Sequence, residues 1–115
     1  VFVQAMLGIG ANANYNANIR LVRGSTAICV GDAASARAQS TQQGFRSAST
    51  ANITTVCLSF LDTSPGGDGS TEITYKVQWD GENAGTMYLN TSAGNLDRYD
   101  QARTASTITV MEIAG

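Results

Sequence analysis

Apolar and polar residues alternate along much of this chain with a period of two. Ile73, Tyr75, Val77 and Trp79 alternate with Thr74, Lys76 and Gln78. Val56, Leu58 and Phe60 alternate with Thr55, Cys57 and Ser59 in the same way. Such patterning, enriched in β-branched and aromatic residues, predicts strands with one packed face and one wet face. Trp79 falls in phase with Ile73, Tyr75 and Val77, which assigns it to the buried face. Ile19 and Leu21 flank Arg20 in a third run that Gly24-Ser25 breaks. Residues 27–30 form a short fourth run, stopped by Gly31-Asp32. Residues 1–7 open the chain as a strand, and residues 86–90 add another short one.

The last run, residues 106–114, follows a different pattern. Ile108 and Val110 share a face with Glu112, while Met111 and Ile113 share the other with Thr109. A strand apolar on both faces needs cover on both. In a sandwich one cover is the core, and the other is a candidate subunit interface. Val1, Phe2, Val3, Ile108, Val110, Met111 and Ile113 therefore read as core or interface, two sets that the pattern does not separate.

Turn signals punctuate the runs at Gly8-Ile9-Gly10, Gly24-Ser25, Ser64-Pro65-Gly66-Gly67-Asp68-Gly69, Asp80-Gly81 and Gly94-Asn95. Only residues 32–43 are Ala-rich enough for a helix. They lack an apolar stripe and read as a loop with at most one helical turn. The Ala/Asn alternation of residues 11–18 reads as a loop or a weak edge segment. Several short strands with frequent turns predict an all-β antiparallel sandwich or barrel. At 115 residues and 12.0 kDa, the chain has the size of one domain. It starts at Val1 without Met, and the expectation is a C-terminal domain of a longer protein.

Composition narrows the chemistry. Charged residues are 14%, against about a quarter in typical domains, and histidine is absent. No Ser-His-Asp triad, Cys-His nucleophile pair or His-bearing zinc site can be built from one copy. A net charge of −2 argues against a broad nucleic-acid footprint. No apolar run approaches the roughly 20 residues of a membrane span. The expectation is a non-enzymatic protein with no cofactor, no metal, no nucleic-acid partner and no membrane insertion. Cys29 and Cys57 lie in strand-like runs and read as small buried hydrophobes, with a disulfide between them left open. Asp62, Asp68 and Glu72 sit near Gly66-Gly67, but their spacing is not that of an EF-hand, and the segment reads as a solvated turn.

Two segments invite a recognition role. Asp97, Arg98, Tyr99 and Asp100 combine charge with an aromatic between two strands, a set suited to stacking on and hydrogen-bonding a sugar or a protein epitope. The competing reading is a local Asp-Arg pair with a packed tyrosine. Residues 40–46 read as a second loop, with Phe45 tucked beneath it.

The order of motifs resembles a known group. Arg20-Leu21-Val22-Arg23-Gly24-Ser25-Thr26 is followed by the Gly31-Asp32 turn, then by Leu61-Asp62-Thr63-Ser64-Pro65-Gly66 and Thr74-Tyr75-Lys76-Val77-Gln78. Ser106-Thr107-Ile108-Thr109-Val110-Met111-Glu112-Ile113 closes the chain. This combination resembles the small C-terminal jelly-roll domains of phage tail fibres and other virion appendages. It is similar, more distantly, to the trimeric globular heads of the complement and tumour-necrosis-factor type. The resemblance implies a jelly roll that assembles as a homotrimer on a virion, contacts other virion proteins and serves attachment to a host-surface glycan or protein. Two further roles stay open: purely structural capsid decoration or an extracellular filament, and a secreted bacterial carbohydrate-binding module. The last predicts an exposed aromatic row drawn from Trp79, Tyr75 and Tyr88.

Overall fold

A computed structural model of the chain describes residues 1–114, apart from residues 13, 14, 47 and 82–84, with backbone only for residues 44–46. Among the described residues there is no helix, and eight strands form two antiparallel sheets. The strands are β1 (Phe2–Ala11), β2 (Asn16–Arg23), β3 (Thr26–Ile28), β4 (Gln42–Arg46), β5 (Ile53–Leu61), β6 (Tyr75–Gly81), β7 (Met87–Leu89) and β8 (Thr107–Met111).

Both sheets follow one plan. β1 is the long centre of the first sheet, with β5 along one edge and β8 and β7 end to end along the other. β2 is the centre of the second, with β6 along one edge and β3 and β4 end to end along the other. An end-to-end pair leaves a gap, and backbone groups of the central strand opposite it need partners. Hydroxyl side chains help supply them. At the β1 gap, Gly8 N–H donates to Ser106 Oγ at 3.0 Å, and Gly8 C=O accepts from Asn90 N–H at 2.8 Å. At the β2 gap, Leu21 N–H donates to Thr41 Oγ1 at 2.9 Å, and Ile19 C=O accepts from Thr41 N–H at 2.9 Å.

The core lies between the sheets. Val3, Ala5, Leu7 and Ile9 of β1 and Val56 and Leu58 of β5 meet Ile19, Leu21 and Ile28 of the β2 sheet. All are buried, and Val1, Phe60, Tyr75, Val77 and Met87 pack around them. The odd-numbered positions of β1 point inward, as period two requires. The predicted alternation of β5 holds: Val56 and Leu58 are buried, while Thr55, Cys57 and Ser59 are exposed.

Several expectations are corrected. Gly8-Ile9-Gly10 is the interior of β1 rather than a turn, and Asp80-Gly81 ends β6 rather than turning. At Gly8 and Gly10, glycine is required because a loop rests on the strand. A Cβ on Gly8 would strike Thr104 Oγ1, and one on Gly10 would strike the Thr91 carbonyl oxygen. Half of residues 11–18 join the central strands, with Ala11 in β1 and Asn16, Ala17 and Asn18 in β2. Residues 42–46 form β4 rather than a loop, and the Phe45 side chain lies outside the described residues.

Both cysteines are free and exposed, not buried. Cys57 takes the outward phase of β5, and Cys29 follows β3 in a left-handed conformation (φ 53°) that turns the chain away. Trp79 keeps its predicted phase, opposite the buried Ile19, yet is 43% exposed because β6 is an edge strand.

Candidate functional site

Two surfaces stand out: the connection between β7 and β8, and the face of β8 itself. The connection, residues 90–106, is held in shape by its own side chains. Gln101 Oε1 accepts from Ser92 Oγ at 2.9 Å and from Leu96 N–H at 2.9 Å. Ser92, fully buried, also accepts from Asn95 N–H at 3.2 Å. Asn95 Oδ1 accepts from Thr91 Oγ1 at 3.0 Å and from Arg103 Nη2 at 3.1 Å. Asn90 and Asn95 adopt positive φ (63° and 42°), a region that asparagine tolerates better than most residues. Ser106 Oγ donates to Asn90 Oδ1, and Gly94 N–H donates to Thr50 C=O at 2.8 Å, so the loop is tied at both ends and across to a neighbouring segment.

This scaffold presents Asp97, Arg98, Tyr99 and Asp100 to solvent. Arg98 Nη2 pairs with Asp100 Oδ2 at 3.1 Å, with both side chains more than half exposed, so the pair contributes little to stability. The expected salt bridge is present, but its packed tyrosine is not: Tyr99 is fully exposed. An aromatic ring held in water on a braced loop costs little further ordering when a partner arrives.

The seven residues assigned to core or interface now separate. Val3 is core, fully buried, and Val1 is partly buried and packs against the core. Ile108, Val110, Met111 and Ile113 are exposed by 46–60%. Residues directly opposite each other in an antiparallel pair share a face. Val110 stands opposite Val3 and Ile108 opposite Ala5, so both point toward the sandwich interior. They stay exposed because β8 is an edge strand. On the outer face, Met111, Phe2 and Leu61 form one cross-strand row, and Thr107, Met6 and Cys57 another. Phe2 is half-buried, while Met111, Leu61 and Met6 are exposed.

The carboxylates are engaged elsewhere. Asp62 follows β5 and is buried. Its carboxylate accepts from Arg23 Nη1 at 2.9 and 2.8 Å and from Tyr75 Oη at 2.9 Å. Arg23 and Tyr75 are paired in the second sheet, so this cluster clamps the two sheets together at one end. Burial alone would raise the Asp62 pKa. The hydrogen bonds from Tyr75, Arg23 and the Ser64 N–H, together with the Arg23 charge, outweigh it and hold the carboxyl below its ordinary value. Burial and the Asp62 carboxylate push the Tyr75 hydroxyl up to about 12. Asp68 accepts from the N–H groups of Ser70 and Thr71 at 2.9 and 2.6 Å and from both hydroxyls, which lowers its pKa. Asp62 and Asp68 thus serve a clamp and a turn, and no group of three or more potential metal-ligating side chains converges among the described residues. Sequence reasoning missed the clamp. Its only signal was one aspartate in a turn, and the partners arrive 39 residues earlier and 13 later.

Among the described residues no aromatic row lines the surface: of Trp79, Tyr75 and Tyr88 only Trp79 is exposed, and Tyr75 is committed to Asp62. Among the described residues no helix is long and apolar enough to cross a membrane. Comparison with protein-family models, with curated proteins and with solved structures finds no match.

Proposed function

We propose that this chain is the non-enzymatic head domain of a virion appendage, a tail or head fibre, that assembles as a homotrimer and attaches to a host cell surface. The observation that carries the reading is β8, an edge strand with Ile108, Val110 and Met111 exposed and Ile113 just beyond it. Soluble proteins protect edge strands with charge, proline or bulges. The sequence of β8, Thr-Ile-Thr-Val-Met, has none of these. Burial against neighbouring copies is the simplest way to remove that apolar surface from water. The chain also passes repeatedly between the sheets, from β1 to β2, β4 to β5, β5 to β6 and β6 to β7, which supports a jelly-roll winding. The braced 90–106 loop, with Tyr99 in solvent, is the surface we assign to adhesion.

Light scattering on the purified chain tests the assembly. The expected mass is three times 12.0 kDa at micromolar concentration, and a stable monomer overturns the reading. Whole-cell binding tests the adhesion. Loss of binding in Tyr99→Ala with the trimer intact is expected, whereas a trimer that binds no cell surface leaves a purely structural role in a capsid or filament.

A further inference from the structure

The outer face of the second sheet carries a groove that neither β8 nor the 90–106 loop touches. Its volume is about 610 Å³, within the range of small-ligand sites. The β2–β6 register builds its floor. Asn18 stands opposite Asp80 and Arg20 opposite Gln78, so two amides, a guanidinium and a carboxylate share one outward face. Arg20 Nε donates to Gln78 Oε1 at 3.1 Å, and Asp80 Oδ1 accepts from Gly81 N–H at 2.8 Å, which positions both charged groups. The β3–β4 connection forms the facing wall at Ala38, Gln39 and Ser40. It is pinned by Gln39 Nε2 donating to Gly31 C=O at 2.8 Å. Val77 and Trp79 of the edge strand β6 border the groove, while their side chains take the inward phase opposite Leu21 and Ile19. A second hollow of about 450 Å³ shares Asn18, Ala38 and Ser40 and adds Arg37 and Gln43.

We propose that this groove binds a saccharide that carries a carboxylate, of the uronic-acid type. Amides and a hydroxyl in a shallow polar groove suit the hydroxyls of a sugar, which both donate and accept. Charge selects the acid form. Arg20 and Arg37 against Asp80 give the two hollows a positive balance in a chain whose net charge is −2. A guanidinium binds a carboxylate through two parallel charge-assisted hydrogen bonds. The proposal goes beyond the proposed function, whose adhesion surface is the 90–106 loop, and adds a ligand site on a separate surface.

The test is an NMR titration of the full chain, following backbone amides, with tetragalacturonate, neutral maltotetraose and sodium acetate. Expected are shifts at Asn18, Arg20, Ser40, Gln78 and Asp80 with tetragalacturonate, and binding of maltotetraose weaker by about tenfold. Arg20→Gln and, separately, Arg37→Gln on the exposed connection each weaken tetragalacturonate by about tenfold with unchanged light-scattering mass. Three results overturn the groove. With no shifts at these residues for either sugar, the site does not bind saccharide. If acetate reproduces the pattern at equal carboxylate concentration, the groove is a simple anion site. Shifts confined to Leu96, Arg98 and Tyr99 move recognition to the loop, which removes the groove and leaves the adhesion reading standing.

Discussion

β1 and β2 occupy equivalent places, each the long centre of a sheet with one full-length neighbour and two short ones. Their inward residues are alike: Val3, Ala5 and Ile9 on one, Ala17, Ile19 and Leu21 on the other, all essentially fully buried. Their outward residues are not. β1 presents Phe2, Gln4 and Met6 and then two glycines under a loop, whereas β2 presents Asn16, Asn18 and Arg20 beside a polar groove. The shared core makes the sandwich, and the outward positions give each sheet its own surface. The first sheet's surface is apolar at one end and covered at the other, and the second sheet's is polar and open beside the groove and covered at Val22.

The covered end of the first sheet offers the strongest test of this contrast. Gly10→Ala puts a Cβ against backbone atoms of Thr91 and Ser92, which cannot rotate away. The expected cost is about 3 kcal/mol in urea unfolding, with faster hydrogen exchange at Asn95 and Leu96 as the loop lifts. Gly31→Ala, on the second sheet's open connection, meets nothing within 4 Å and should be silent. Equal effects at the two positions would erase the difference between the outer faces.

A smaller effect is expected where the sheets are joined. Arg23→Ala leaves Asp62 buried without its cation and should cost about 2 kcal/mol at neutral pH. The pH dependence has a definite sign. Asp62 titrates below its ordinary 3.8 when folded, so its contribution is complete above that value and is lost as the pH falls through and below it. Tyr75 titrates near 12 rather than 10.0, so its contribution is complete below pH 10 and is lost as the pH rises toward 12. Tyr75→Phe should remove the alkaline loss while acid unfolding persists, and an unchanged alkaline limb would show that the hydroxyl is not held by Asp62.

The least change in monomer stability belongs to β8. Met111→Ser alters an outer-face side chain already about half exposed, and the unfolding free energy of the monomer should move by about 1 kcal/mol or less. The light-scattering mass should fall to 12.0 kDa. If the mass is unchanged, β8 is not the assembly face.

Period-two alternation made β5 and β6 readable, because every second residue meets the core whatever else surrounds the strand. It also showed that β8 is apolar on both faces. It failed at Gly8-Ile9-Gly10, where glycine normally marks a turn. Here Gly8 and Gly10 clear space for residues 91, 92 and 104, and a contact that distant in sequence leaves no local trace. It failed for Trp79, since phase reports which face a residue takes and not whether the strand lies at an edge. The 97–100 segment was legible as a surface loop, but the bracing from Ser92, Asn95 and Gln101 was not. The groove was invisible for a related reason: Arg20 and Gln78 lie 58 residues apart and meet only through strand pairing.

The chain's local pattern determined the class of structure, an all-β protein with strands near the predicted places, because side-chain alternation is a property of the backbone itself. It also determined the absence of His-dependent chemistry, which is a matter of composition. Tertiary structure decided which strands lie at edges, which apolar residues are core and which are left in water, and which polar side chains become neighbours. Those outcomes depend on pairings between distant segments, whose free energy is set by the whole sandwich and not by any single run of residues.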